Sequence, residues 1–412
     1  MNIGKDKITS CAFLVWLVVF SGCSDRSRGM PAGEPASADE LWIRVLLDDG
    51  VQRCEVGSES DFSIVASGEN GNVLRFVKPL SEMEVHVDGE ELFIEQTRVG
   101  KRAFVITDEP CFFRFNGRCY RGKLELLVRD GGGFDAINHV PLRGYLAGVV
   151  GAEMPSYWEP AALEAQAIAA RTYCVYIKKQ FGGNRQWDVR RSQANQVYLG
   201  IEGESRSVWS AVKKTAGKVL VCRQESGEVG VFPAYYSSVC GGHTEDSVNV
   251  FGDSYGPLKG VECPWCEDVA RMNLLLWPIV ELKKMDVTRR LVSRYPKLER
   301  LGEVKGIVAT RQSDYRQFSR LGQLELVGVN GAHDSLRAED FRLSVDPSGR
   351  VLRSTACKIE DRGDKWAFVL GRGFGHAVGM CQCGAEGMAR QGRSASEILS
   401  YYYPGSQIVS MY

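Results

Sequence analysis

The chain has no excess of charge of either sign, and this absence excludes two kinds of protein. Lys and Arg together number 51, and so do Asp and Glu, which leaves a formal net charge of zero at pH 7. Without a basic surplus the chain lacks the charge that nucleic-acid-binding proteins carry, and without an acidic run it lacks a solvating tail. The sequence therefore predicts no nucleic-acid partner.

Long hydrophobic runs are also missing. The apolar run at residues 12–20 is too short to span a bilayer. It follows Lys5 and Lys7, and a positive segment before a short apolar run is typical of a secretory signal. We therefore expect the mature protein to lie outside the cytoplasm, in the cell envelope.

The end of this signal is similar to a bacterial lipobox. It reads Phe-Ser-Gly-Cys, with Cys23 as the residue to be lipidated and Phe where Leu is usual. Residues 24–40 are polar and contain Gly, Pro and Ser, as a flexible tether does. We expect residues 1–23 to be a lipoprotein signal peptide and Cys23 to anchor the protein to the membrane. The alternative is an ordinary secretory signal with an incidental cysteine, which would make the protein a secreted one.

No internal repeat and no other low-complexity run interrupts the remainder, whose composition is that of a globular protein, 44% hydrophobic and 25% charged. Short alternating apolar runs, separated by Gly, Asn and Asp, predict strands in its first part. We expect an α+β fold. An N-terminal β-rich domain is predicted at 41–135 and a mixed helical and β core at 136–270 and 356–412. The two parts of the core are separated by a predicted β-rich insertion at 271–355. This insertion opens with two short helices at 279–285 and 287–295.

Helical periodicity is strongest between residues 138 and 180. Pro160 stands at a first helical position, where its missing N–H costs little, and Gly182 ends the helix. A spacing of three and four residues predicts one buried face. Its members are Leu163, Ala167, Ala170 and Cys174.

A single glutamate precedes this helix in apolar surroundings. Glu153 sits in the run Gly-Ala-Glu-Met-Pro. Desolvation disfavours the charged form of a carboxyl group, so Glu153 is expected to stay protonated more readily than an exposed glutamate. A protonated carboxyl near neutral pH is what general acid catalysis requires. The alternative is a glutamate at a helix end that caps the next helix.

Four residues in two short motifs have the spacing of a metal site. Cys240-Gly-Gly-His243 is followed by Cys263-Pro-Trp-Cys266, which supplies three thiolates and one imidazole. Four such ligands complete a tetrahedral shell, so we expect a structural Zn²⁺. The alternative is a disulfide between Cys263 and either Cys266 or Cys240.

Other cysteines are numerous, since the chain has thirteen in all. Cys111 and Cys119 flank a turn and would close a hairpin as a disulfide in an oxidising compartment. The sequence does not determine how the remaining cysteines pair.

Three stretches in order resemble the SpoIID/LytB family, the stage II sporulation protein D family. They are GAEMPSYWEPAALEAQAIAARTY, the shorter QVYLG, and GRGFGHAVGMCQCGA at residues 371–385. The last departs from the family pattern at Ala377, where the family has Gly, and at Cys381, where it has Ser. The likeness spans about residues 138–412 and implies that residues 136–270 and 356–412 form a SpoIID-like catalytic domain.

The resemblance implies a set of site residues. Glu153 takes the place of the catalytic glutamate. The residues expected to contact a glycan are Gln166, Arg171, Tyr198, Tyr235, His376 and Gln382. The resemblance also allows Gln166 and Arg171 to orient Glu153. For each of the six residues the alternative is a structural role in the core or a turn.

The resemblance implies a peptidoglycan lytic transglycosylase. Such an enzyme cleaves the bond between N-acetylmuramic acid and N-acetylglucosamine, and the muramic C6 hydroxyl attacks internally to give a 1,6-anhydro sugar. Because the substrate supplies the nucleophile, one carboxyl group suffices where other glycosidases use two. One alternative is a non-catalytic protein that binds glycan strands and recruits or enhances a cell-wall amidase. Another is a hydrolase that pairs His376 with Cys381 or Cys383.

Overall fold

The computed structural model of the chain describes residues 40–58, 60–66, 73–76, 80–107, 112–192 and 195–411. The predicted signal peptide with Cys23, and all but the last residue of the predicted tether, lie outside them. Within the described part, no helix is both long and apolar enough to cross a membrane. The predicted α+β class is confirmed, since helices and several sheets alternate along the chain.

The N-terminal region consists of strands. Their bounds are β1 (Trp42–Val51), β2 (Arg53–Ser58), β3 (Phe62–Ala66), β4 (Val73–Phe76), β5 (Leu80–Asp88), β6 (Glu91–Ile94), β7 (Thr97–Gly100), β8 (Arg102–Thr107), β9 (Phe113–Phe115), β10 (Arg118–Tyr120), β11 (Lys123–Val128) and β12 (Phe134–Pro141). Alternate residues of β3 and β6 are buried, as the two-residue period of a strand predicts. The strands form a seven-stranded sheet, completed by β13 (Val189–Arg190), and a six-stranded sheet.

Three helices follow these sheets and carry the candidate site. They are α1 (Leu142–Glu153), α2 (Pro160–Phe181) and α3 (Arg206–Lys214). The predicted apolar face of α2 is buried, and Pro160 and Gly182 bound the helix as expected. On α1, a Cβ at Gly151 would lie 1.7 Å from the carbonyl oxygen of Gly203, so only glycine permits this approach to the 3-10 turn Gly200–Gly203.

The remaining elements complete the chain. Their bounds are β14 (Lys218–Arg223), β15 (Val229–Val231), β16 (Tyr236–Ser237), α4 (Ser247–Val250), α5 (Met272–Leu275), β17 (Leu276–Trp277), β18 (Val280–Lys283), α6 (Lys284–Arg294), β19 (Val304–Asp314), β20 (Ser319–Gly328), β21 (His333–Arg337), α7 (Ala338–Val345), β22 (Lys358–Arg362), β23 (Lys365–Val369), β24 (Gly371–Arg372), β25 (Met380–Cys381), α8 (Gln382–Arg390), α9 (Ala395–Tyr402) and β26 (Gln407–Ser410). The glycine-rich motif at residues 371–385, called the closing motif below, contains β25. The parallel pairing of β25 with β16 brings this motif beside residues 236–237.

Two hydrophobic cores underlie these elements. The first joins both N-terminal sheets to α1, α2, α3, α8 and α9, so it runs without a break across the predicted boundary at residue 135. The second extends from Trp277 to Phe368, which carries it past the predicted boundary at residue 355. Two three-stranded sheets and two helices surround the second core.

One predicted helix of the insertion is a strand. Residues 280–283 form β18, which pairs with β23, and the helix α6 begins only at Lys284. The reason is the sequence Val-Glu-Leu-Lys, whose alternation suits a strand once a neighbouring strand is available to pair with it.

Candidate active site

Glu153 is the last residue of α1, and its carboxylate faces two neutral hydrogen-bond donors. The backbone N–H of Val197 donates to Oε1 at 3.0 Å, and the side-chain amide of Gln382 donates to Oε2 at 3.4 Å. The N-cap of α2 is Glu159, and no side-chain hydrogen bond caps that helix. Glu153 therefore does not cap α2, which was the structural role weighed against a catalytic one.

The surroundings of Glu153 favour its protonated form. Burial raises the pKa of its carboxyl group, and the hydrogen bonds from Val197 and Gln382 offset only part of that rise. Within the described residues no Lys or Arg pairs with it. The residue still keeps partial contact with solvent, so a ligand can reach a carboxyl group that holds its proton to a higher pH than usual.

One of the predicted glycan-contacting residues, Gln382, bonds this carboxylate, and a second, Gln166, contacts Gln382. Gln382 is the first residue of α8, and its side-chain nitrogen lies 3.5 Å from the side-chain oxygen of Gln166 on α2. Both side chains are almost fully buried. The amide nitrogen of Gln166 has no hydrogen-bond partner among the described residues, which leaves a donor beside the Glu153–Gln382 pair.

A second polar network beside Glu153 was not predicted. Gln196 donates from its amide to the hydroxyl of Tyr236 at 2.8 Å and to the carbonyl of Ala170 at 3.2 Å, and it accepts from the hydroxyl of Tyr145. Burial and the charge of Glu153 raise the pKa of Tyr236, which places that phenol in the field of the carboxylate. The signal was the QVYLG segment, whose glutamine Gln196, and not its tyrosine, bonds to Tyr236 beside Glu153.

Arg171 and Tyr198 lie in the core. The buried guanidinium of Arg171 donates to the carbonyl oxygens of Lys218 at 3.0 Å and Val212 at 3.3 Å, and so ties α2 to the end of α3 and the start of β14. Tyr198 is 1% exposed, and its hydroxyl donates to Asn138 at 2.9 Å. These contacts give both residues structural roles, which the sequence left open beside glycan contact.

Tyr235 and His376 form an aromatic pair that stays partly exposed. Their ring centroids are 6.0 Å apart, and the ring of Phe251 packs against both. The Nδ1 atom of His376 accepts from the backbone N–H of Val378 at 3.0 Å, and burial lowers the pKa of His376 to about 4. The imidazole is therefore neutral at neutral pH and donates only from Nε2.

The predicted metal ligands are only partly brought together. The sulfur atoms of Cys240, Cys263, Cys266 and Cys381 all lie within 4.8 Å of one another, and all four residues are fully buried. His243 does not join them. Its Nδ1 atom lies 2.6 Å from the carbonyl oxygen of Thr244, and its ring stacks on Tyr315. The structure thus replaces the predicted set of three thiolates and one imidazole with four thiols.

The states of the cysteines test the predicted disulfides and the alternative of a thiol nucleophile. Cys240, Cys263 and Cys266 are unpaired, so neither disulfide considered for Cys263 is present. Cys119 is disulfide-bonded, and its predicted partner Cys111 lies outside the described residues. Burial raises the pKa of both Cys381 and Cys383, that of Cys383 to about 12, which disfavours the thiolate that a Cys–His hydrolase needs.

Comparisons with known proteins agree with the motifs at this site. A family model described as SpoIID, stage II sporulation protein, matches residues 130–222, which include Glu153, Gln166 and Gln196. An uncharacterised protein of Brachyspira hyodysenteriae is 31% identical over 297 residues, which cover 72% of this chain and 74% of the relative. The stage II sporulation protein D of Bacillus subtilis is 27% identical over 287 residues, 66% of this chain and 76% of the relative. The amidase enhancer of Bacillus subtilis is 27% identical over 303 residues, 64% of this chain and 40% of the relative.

Proposed function

The chain belongs to the SpoIID family, whose relatives support a cell-wall-related role, and from that premise we propose that it is a peptidoglycan lytic transglycosylase. Its substrate is the glycan strand, cut between N-acetylmuramic acid and N-acetylglucosamine. Glu153 is the proposed acid and base. The observation that supports this most directly is a half-buried carboxyl group whose pKa is raised and whose hydrogen-bond partners among the described residues are neutral.

The first step breaks the glycosidic bond. Glu153 gives its proton to the bridging oxygen, the bond from the muramic C1 carbon to that oxygen breaks, and the N-acetylglucosamine end leaves as an alcohol. Burial supports this step because it keeps the proton on Glu153 near neutral pH. The amide of Gln382 and the N–H of Val197 then stabilise the carboxylate that remains.

The second step closes the anhydro ring. The carboxylate of Glu153 takes the proton from the muramic C6 hydroxyl, and that oxygen bonds to C1. The proton returns to Glu153, no water is consumed, and no second carboxylate is needed. This fits the site because the groups that bond or neighbour Glu153 (Val197, Gln382 and Tyr236) include no second acid.

Several side chains near the closing motif are candidates for holding the glycan. Tyr235 and His376 are half-buried aromatic residues, and the imidazole of His376 also hydrogen-bonds the backbone of Tyr236. Tyr157, in the turn between α1 and α2, is 78% exposed, and so large an exposed aromatic ring suits stacking on a sugar. Gln166 is fully buried, so its role is to support Gln382 from behind and not to touch the glycan.

The test is the product analysis of purified protein with purified glycan strands, both with and without peptide stems. Mass spectrometry should find 1,6-anhydro ends with the wild-type protein, and Glu153→Gln should lower their yield by roughly 10²–10⁴-fold, the usual contribution of a general acid. Glu159→Gln is the matched control, because it changes an exposed glutamate six residues away. Equal yields from wild type and Glu153→Gln would refute Glu153 as the acid.

The likeness to an amidase enhancer favours a second function, in which the site around Glu153 binds glycan without cutting it and the protein recruits a cell-wall amidase. Family membership does not separate the two functions. Intact strands after incubation with wild type, together with faster release of peptide stems when a purified amidase is added, would support this second function and contradict the first.

We also propose that the protein is attached to the outer face of the membrane through a lipid on Cys23. The sequence motif supports this, and Cys23→Ser tests it. Loss of the variant from the membrane fraction, with the protein recovered in the surrounding medium or the extracytoplasmic soluble fraction, is expected. Membrane retention of the variant would contradict it.

A further inference from the structure

We propose that a mononuclear zinc site with four thiolate ligands lies beside the candidate active site and holds Gln382 against Glu153. The ligands are Cys240, Cys263, Cys266 and Cys381. The fourth ligand comes from the closing motif, where the family pattern has Ser, and not from the Cys-x-x-His motif. The proposal concerns metal binding and is independent of whether the protein cleaves glycan.

The spacing of the sulfur atoms fits one ion. A zinc ion bound to four sulfurs at about 2.3 Å gives a tetrahedron with edges of about 3.8 Å. The sulfurs of Cys240 and Cys266 are 3.9 Å apart, and no pair in the cluster exceeds 4.8 Å. A disulfide needs about 2.05 Å. A multinuclear iron–sulfur cluster spreads its four thiolates farther apart because they are divided among two or more irons.

The surroundings of the sulfurs suit negative charge. The backbone N–H of Cys240 donates to the sulfur of Cys381 at 3.3 Å, and the hydroxyl of Tyr402 lies 3.0 Å from the sulfur of Cys263. The backbone of Gly241 also hydrogen-bonds the sulfur of Cys266. Such second-shell donors orient metal ligands and stabilise thiolates.

A buried cation lies against the cluster. Arg320 is 1% exposed and donates to the carbonyl oxygen of Cys240 at 2.7 Å, while its Nε and Nη1 atoms have no hydrogen-bond partner among the described residues. A zinc ion with four thiolates has a net charge of −2. The Nε atom of Arg320 also lies 3.7 Å from Oε2 of the buried Glu245, and an anionic zinc centre would add a second counter-charge for this buried guanidinium.

The connection to Glu153 is through consecutive residues. Strand β25 pairs with β16, with Ser237 opposite Cys381, and the next residue, Gln382, begins α8 and reaches Glu153. Close packing leaves this turn little freedom, since a Cβ at Gly384 would lie 2.6 Å from the sulfur of Cys263. Four thiolate bonds would therefore fix the start of α8, and with it the amide that hydrogen-bonds the carboxyl group.

The test is the metal content of the purified protein, measured by elemental mass spectrometry without added metal and under reducing conditions. We expect about one zinc ion per chain. Cys381→Ser should weaken zinc binding by about tenfold or more, since even second-shell changes cost that much. Cys383→Ser is the matched control, because it removes a buried thiol two residues away that is not in the cluster. It should bind zinc as the wild type does.

His243→Asn separates the two ligand sets. It should keep its zinc, whereas a site with His243 as fourth ligand would lose it. Loss of zinc in His243→Asn with retention in Cys381→Ser would overturn the proposal, and so would wild-type protein without zinc whose four cysteines are found in disulfides.

Two further measurements keep the proposal testable if Cys381→Ser fails to fold. Wild-type protein loaded with cobalt should show thiolate-to-cobalt absorption of the strength expected for four thiolates, and the strength expected for three would overturn the ligand set. Hydrogen exchange at residues 380–390 should slow when zinc is restored to chelated protein. Unchanged exchange there would overturn the positioning of Gln382.

Discussion

Two enclosed glutamates in the two hydrophobic cores show how surroundings decide what a carboxyl group does. Glu153, at the end of α1 in the first core, faces the neutral donors of Val197 and Gln382. Glu339, on α7 beside the second core, faces Arg342 one turn later, with oxygen–nitrogen distances of 2.5 and 2.9 Å. Burial acts to raise the pKa of both carboxyl groups, and at Glu153 it prevails. At Glu339 the charge and hydrogen bonds of Arg342 outweigh burial, so the pKa of Glu339 is lowered.

Burial alone does not make a carboxyl group an acid catalyst. A cation within hydrogen-bond distance turns a buried carboxyl group into half of an ion pair, which stabilises structure and has no proton to give at neutral pH. Neutral amides leave the proton in place and still stabilise the carboxylate once it forms. At Glu153 the side chain in the place that Arg342 takes beside Glu339 is Gln382, whose amide is neutral.

The largest effect is expected when Gln382 is made to act like Arg342. Gln382→Lys would put a cation beside Glu153 and lower its pKa by about 1–3 units, so at a pH above the wild-type pKa cleavage should fall by roughly 10–10³-fold. The measurement is the rate of anhydro-end formation against pH. Activity should return as the pH is lowered. A variant with the wild-type pH profile would show that Gln382 does not control the proton on Glu153.

The second prediction breaks the ion pair in the other core. Glu339→Gln leaves the guanidinium of Arg342 buried without its counter-charge, which should lower the free energy of unfolding by about 3 kcal/mol or more. Denaturant unfolding measures this. The control is Glu360→Gln, which loses an exposed pairing with Arg362 and should cost less than about 1 kcal/mol. Equal losses of unfolding free energy in Glu339→Gln and Glu360→Gln would show that the buried ion pair is no more important for stability than the exposed one.

A third, smaller effect comes from removing the neutral donor without adding charge. The hydrogen bond from Gln382 lowers the pKa of Glu153, so Gln382→Met should raise it and move the alkaline limb of the rate profile to higher pH. The shift should be opposite in sign to that of Gln382→Lys. A shift in the same direction for both would mean that the side chain acts by packing alone.

Much of this arrangement could be predicted from local sequence. The spacing of Leu163, Ala167, Ala170 and Cys174 predicts the buried face of α2, and Pro160 and Gly182 predict its ends, because these signals depend on neighbours within a few turns. The apolar neighbours of Glu153 likewise indicate a protonated carboxyl group. The donors that face it, Val197 and Gln382, lie 44 and 229 positions away.

What could not be predicted depends on contacts between distant segments. The Cys-x-x-His spacing favours His243 as a ligand, but the strand pair of β16 and β25 brings Cys381 to the other three sulfurs and leaves His243 against Tyr315. The one local clue was the replacement of Ser by Cys at 381. Residues 280–283 show the same limit, because a short apolar segment becomes a strand only when its partner β23 lies beside it.

The smallest predicted effect is a difference in the pH dependence of stability between the two glutamates. Because the folded-state pKa of Glu153 is raised, its contribution to stability is greatest at low pH and falls as the pH rises from the unfolded value, about 4.3, toward the folded value. Glu153→Gln should therefore gain stability relative to wild type over that interval. The lowered pKa of Glu339 has the opposite sign, so the loss in Glu339→Gln should shrink as the pH falls through that pKa. Melting temperatures of both variants and wild type across pH measure the two trends, and parallel curves would contradict the opposite roles assigned to the two carboxyl groups.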